Sequence, residues 1–150
     1  MTTIDRRRAL ALGAGLALLT AAPVGILPAF AANDAAQVAK AFLDGKEPVK
    51  GKLAIELPEI AENGATVPLV VSVESPMSEA SHVTEVLVLA EENPTSRVVR
   101  FAFTPSSGKA EVALRIRLSA TQNVWVLAKT NTGEVYLEKK PVKVTIAGCG

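Results

Sequence analysis

Cysteine is nearly absent from this 150-residue chain, where Cys149, next to the last residue, is the single one. No internal disulfide can form, so the fold must be stabilised by packing. Histidine is equally scarce, with His82 alone. That argues against an ordinary metal site, which gathers several His, Cys or carboxylate ligands, so no metal or cofactor is expected. His82 reads instead as a strand-start residue bonded to backbone or water. The glycines are scattered singly through turns, which removes the glycine-rich phosphate loop. A net charge of +1 with no basic stripe argues against nucleic-acid binding. The apolar run Ala9–Ala22 is shorter than the roughly 18 to 20 residues that a membrane span needs, and Gly13 and Gly15 interrupt it.

The front of the chain has a different use. Asp5-Arg6-Arg7-Arg8 precedes the apolar run, Pro23 and Pro28 follow it, and Ala29-Phe30-Ala31 is a small-x-small cleavage signature. Residues 1–31 therefore read as a twin-arginine export signal carried by Arg6 and Arg7, cleaved after Ala31 to leave no membrane segment. The expected location is the bacterial periplasm. The leader holds three Arg and one Asp, which leaves the remainder near −1.

Residues 32–144 have the length of one domain with one core. Asp34 is placed to cap a short helix in which Val38, Ala41 and Phe42 share a face, with Gly45 and Pro48 ending it. The periodicity then switches to two. Leu53, Ile55 and Leu57 form one inward row, and Val67, Leu69, Val71 and Val73 the next. His82–Ala90 is apolar on both faces towards its end, as a central strand would be. Arg97–Phe103 follows, and then Lys109–Leu118, where Ala110, Val112, Leu114, Ile116 and Leu118 oppose Lys109, Glu111, Arg115 and Arg117. Asn123–Lys129 holds Trp125, which reads as a core residue. Asn131-Thr132-Gly133 turns into Glu134–Ile146, where Pro141 demands an edge position or a bulge. About seven strands behind one helix predict an all-β, immunoglobulin-like antiparallel sandwich, with an open barrel as the alternative. Glu91-Glu92 before Asn93-Pro94 reads as a solvated turn.

Residues 145–150 form the expected C-terminal arm, and Cys149 lies outside every strand. Gly148 and Gly150 flank Cys149, and with Ala147 they read as a flexible arm that carries a thiol. An unhindered thiol in an oxidising compartment is exposed to sulfenic acid and mixed-disulfide formation, which argues that it has a use. A prenyl cysteine would stand four from the end, and a bacterial lipoprotein cysteine would follow the leader. A nucleophilic pair of His82 with Cys149 would conflict with a mobile tail. Three readings stay open on the residues alone: a thiol carrier, a secreted interaction module whose Cys149 forms only an intermolecular disulfide, and a thiol-dependent enzyme or metallochaperone.

Four features together resemble the SoxY family, the sulfur-carrying subunit of bacterial thiosulfate oxidation. They are the twin-arginine leader, Ile60-Ala61-Glu62-Asn63-Gly64 followed by Val67-Pro68, Thr121-Gln122-Asn123-Val124, and the ending Val144-Thr145-Ile146-Ala147-Gly148-Cys149-Gly150. The family's arm is Gly-Gly-Cys-Gly-Gly. Here Ala147 replaces the first glycine, and one glycine fewer follows the cysteine. The resemblance implies a carrier rather than an enzyme, with Cys149 as the point of sulfur attachment. It implies a heterodimer with a SoxZ-like subunit, loading by the haem-containing SoxAX, hydrolysis by SoxB and, where present, oxidation by a SoxCD-like sulfane dehydrogenase. It also allows a disulfide-linked dimer through Cys149, and it agrees with the immunoglobulin-like fold.

Overall fold

A computed structural model describes residues 33–148 of the chain. The leader with Arg6 and Arg7, together with Cys149 and Gly150, lies outside the described residues. The elements are α1 (Ala35–Leu43), β1 (Leu53–Glu56), β2 (Ile60–Ala61), β3 (Val67–Val73), β4 (Val83–Ala90), β5 (Arg97–Ala102), β6 (Ala110–Ile116), β7 (Gln122–Thr130) and β8 (Val135–Val144), with a short 3-10 turn at Pro105–Ser107. A three-stranded sheet of order β1-β3-β6 packs on a five-stranded sheet of order β2-β8-β7-β4-β5. The sandwich is as expected, with eight strands rather than seven. The added strand, β2, is two residues long and pairs parallel to β8 through Ile60 with Lys143 and Ala61 with Val144. Two residues are too few for a periodicity to be read.

The alternation in β3 buries Val67, Leu69, Val71 and Val73 against Val86 and Val88 of β4 and Val124, Val126 and Ala128 of β7. Each such side chain contributes about 1.5–3 kcal/mol of burial, and this row takes the place of the missing disulfide. Strands β4 and β7 are buried on both faces because α1 covers the far side of their sheet. There Val38, Ala39 and Phe42 pack on Leu87, Leu89, Trp125 and Leu127. Trp125 is thus a core residue, but of the helix–sheet layer rather than of the sandwich interior.

Three local expectations are corrected. Ala41 is exposed, and Ala39 takes its place on the buried face of α1. Asp34 makes no side-chain cap; its carboxylate accepts the Ser96 hydroxyl, while Asn33 Oδ1 accepts the Ala35 N–H at 2.8 Å. Glu91 is not merely solvated, because its carboxylate accepts Trp125 Nε1–H and, at 2.7 Å, Asn123 Nδ2–H.

Pro141 finds a local edge within an inner strand. Lys143 N–H points outward to Glu59 O at 2.9 Å, so by the two-residue alternation Pro141 N points the same way, beyond the end of β2. No ladder bond is lost there.

Because Phe42 is the largest side chain that α1 contributes to its layer, Phe42→Ala should lower stability by about 3 kcal/mol. Urea unfolding followed by the fluorescence of the single Trp125 checks this; an unchanged midpoint would show that the helix packs without consequence.

Candidate functional site

Strand β8 ends at Val144, and the chain then runs into a cradle made by the loop after β2 and the residue Leu118 after β6. Thr145 N–H donates to Ala61 O at 3.0 Å, and Gly64 N–H to Ile146 O at 2.8 Å. The Thr145 hydroxyl donates to Glu62 O at 2.9 Å. Leu118 N–H donates to Gly64 O at 2.8 Å, and Gly148 N–H to Leu118 O at 3.0 Å. On the other side of β8, Val144 N–H donates to the Thr121 hydroxyl at 3.0 Å. The loop holds its own shape through Asn63, whose Oδ1 accepts the Ala65 N–H at 2.9 Å, an Asx turn that sets Gly64 towards the tail.

The segments 60–64, 121–124 and 144–148, far apart in sequence, therefore meet at one end of the sandwich. This convergence was invisible in the sequence, where each stretch looks like an ordinary strand end. The tail also differs from the expectation of an arm free from Thr145 onward. Thr145, Ile146 and Gly148 are hydrogen-bonded to the body and Gly148 is buried, while Thr145, Ile146 and Ala147 are exposed. Ile146, which follows Thr145, is 66% exposed, and Ile60 on β2 is 57% exposed. Two of the large apolar side chains that face solvent thus stand beside the tail.

Little else in the described residues offers chemistry. No three His, Cys, Asp or Glu side chains among them converge as a metal cage. A cleft of about 660 Å³ beside the tail root is lined by Glu59, Thr121, Asn123, Lys140 and Lys143, a mixed-charge floor without a nucleophile and base in contact. His82 bonds as a strand-start residue should, its N–H to Asn131 Oδ1 at 2.9 Å and its ring Nδ1 with Ser78 O at 3.0 Å.

The Tyr136 phenol is pushed up from 10.0 to about 12 by burial first, then by the hydrogen bond to Glu134 and the charge of that carboxylate. Its ring lies in the sandwich core, and its hydroxyl donates to Glu134 at 2.8 Å. A perturbed group can mark a site, but this one sits at the opposite end of β8 from the tail, so its shift reflects packing.

The fold and the tail define a class: an immunoglobulin-like sandwich whose last strand continues into a docked, cysteine-bearing extension. The chain belongs to the SoxY family, since the model of the sulfur oxidation protein SoxY matches residues 39–149. The structure of the sulfur carrier protein SoxY from Chlorobium limicola f thiosulfatophilum is similar at 33% identity, covering 74% of this chain and 96% of that one with a TM-score of 0.59. A superoxide reductase (neelaredoxin) from Ignicoccus hospitalis is similar at 21% identity, covering 63% of this chain and 80% of that one with a TM-score of 0.56. The superoxide reductase of Nanoarchaeum equitans aligns at 11% identity, 64% and 98% coverage and a TM-score of 0.54. At such identities the superoxide reductases share the fold alone. Among curated proteins, none matches.

A titration of the single tyrosine tests the packing account of Tyr136. Its folded value lies above the unfolded one, so the folded state holds the proton more tightly between about pH 10 and 12. Stability is therefore unaffected below pH 10 and falls by about 2–3 kcal/mol as pH rises through that window. Ultraviolet absorbance of the phenolate should show a midpoint near 12 that returns towards 10 in urea. A folded-state midpoint of 10 would refute it.

Proposed function

We propose that this protein is a periplasmic sulfur carrier in sulfur oxidation, holding intermediates covalently on Cys149 and presenting them to separate enzymes. The observation that carries the reading is the family match, which runs through residue 149 and so includes the cysteine-bearing extension. The solved SoxY carrier at 33% identity supports it.

Thiolate chemistry supplies the mechanism. A Cys149 thiolate joins the outer sulfur of thiosulfate to give a cysteine S-thiosulfonate. The new S–S bond forms with loss of two electrons, which a SoxAX-like haem enzyme accepts. Water then attacks the terminal sulfonate in a SoxB-like hydrolase, releasing sulfate and leaving a persulfide on the protein. A SoxCD-like dehydrogenase accepts six electrons from the remaining sulfane sulfur, with three waters supplying the oxygens, to give a sulfonate; a second hydrolysis releases it as sulfate and returns the Cys149 thiolate. Tethering keeps each species at high effective concentration between visits. The body pairs with a SoxZ-like subunit through a sheet face or edge, which leaves the extension free to visit enzymes. The alternative is a secreted interaction module whose Cys149 forms only intermolecular disulfides, including a disulfide-linked dimer.

Mass spectrometry of protein isolated from its own periplasm separates the two. A carrier shows additions on Cys149 of sulfane sulfur or of a thiosulfonate that a reductant removes. Cys149→Ser should abolish thiosulfate-dependent electron transfer in a reconstituted system, at least 100-fold below wild type because no other thiol exists, a loss of about 2.7 kcal/mol or more in the coupled step. Turnover by the serine variant, or a Cys149 that carries only disulfide-linked protein, would overturn the proposal.

A further inference from the structure

Gly64 and Gly148 lie main chain against main chain. A Cβ on Gly148 would collide with the carbonyl of Gly64 and would stand 2.6 Å from Ala65 N; one on Gly64 would collide with Leu118 O and stand 2.7 Å from Gly148 N. Real Cβ contacts are essentially never that short. The atoms met are chiefly backbone, so no turn of a side chain relieves the clash. Neither glycine has a positive φ. Both positions therefore use the missing side chain rather than the conformational freedom of glycine.

We propose that Gly64 is a positioning residue for the cysteine-bearing extension: a saddle on which Gly148 docks, so that the extension exchanges between a docked and a released state. In the docked state the Gly148 N–H is held by Leu118 O, and the Cα of the next residue is about 3.8 Å from a fixed point. Release opens both the Gly148 bond to Leu118 O and the Gly64 bond to Ile146 O; the last fixed point moves back to Thr145, and the extended chain then places residue 149 about 13–14 Å away. Docking gains two peptide hydrogen bonds and close backbone contact, while it orders a few residues; these opposing terms are of similar size, which keeps both states accessible. The docking rests on geometry alone. Its use, to hold the cysteine short between enzymes and long within them, rests on the carrier reading.

The test exploits Ala147. Gly148→Ala changes both bulk and flexibility, whereas the exchange Ala147→Gly with Gly148→Ala keeps one glycine in the pair and moves only the bulk. Amide hydrogen exchange of the full chain reads docking directly. In wild type the Gly148 amide should exchange at least about tenfold slower than an unstructured peptide amide. That protection should vanish at position 148 in both variants, while amides of β4 and β7 keep theirs. Alkylation of Cys149 by a bulky maleimide should rise severalfold in both variants relative to iodoacetamide. An unprotected Gly148 in wild type, or an exchanged pair that restores wild-type protection, would overturn the proposal. Failure of the carrier reading appears elsewhere, as a Cys149 without sulfur adducts beside a protected Gly148 amide.

Discussion

The structure depends on burying one strand pair on both faces. In β4 and β7, valines and two alanines fill the space between the sheets, while Leu87, Leu89, Trp125 and Leu127 meet α1 on the other side. With a single cysteine in the chain, this double burial does what covalent cross-links do in many disulfide-bonded domains of similar size. It explains why a nine-residue helix with no acidic residue in its first turn and no side-chain cap from Asp34 is retained. The helix is held by its apolar face rather than by its ends. Position also makes Glu91 useful: its carboxylate spans Trp125 and Asn123, and Lys139 Nζ lies 3.2 Å from the Trp125 ring centroid. The rim of the helix layer is thus tied by polar groups to an aromatic core residue.

What was legible in the sequence follows from which interactions are periodic. Strands β3 and β6 alternate cleanly, and the two-sided apolar character of β4 marked it as central, which its pairing with β5 and β7 bears out. The readings that missed concern single polar residues with distant partners. Glu91 looks like part of a solvated turn until β7 brings Trp125 beside it, and Asp34 looks like a cap until Ser96 arrives from the far side of β4. No local pattern encodes such meetings. Gly64 stands after Asn63, a pair that signals a turn, and the turn is there; its second requirement, for close approach by Gly148, arises only when β8 is in register with β2.

The likeness to superoxide reductases shows how far a sandwich of this kind constrains activity. The scaffold is shared at low identity, yet the described residues here bring no ligand cluster together, and function must be argued from what is grafted on the fold. In this chain the distinctive graft is at the end of β8. The strand is anchored laterally to β7 over eight residue pairs, so its continuation leaves the body from one of the firmest points of the sheet.

The parallel pairing of β2 with β8 has a mechanical meaning. A pull on the end of the chain along the strand axis loads the β7–β8 and β2–β8 ladders together, in shear, with many bonds resisting at once. The outermost bonds, Gly148 to Leu118 and then Gly64 to Ile146, instead open one after another, as a peel. Tension from any protein that grips the extension is therefore relieved at the tip, and the folded body is spared.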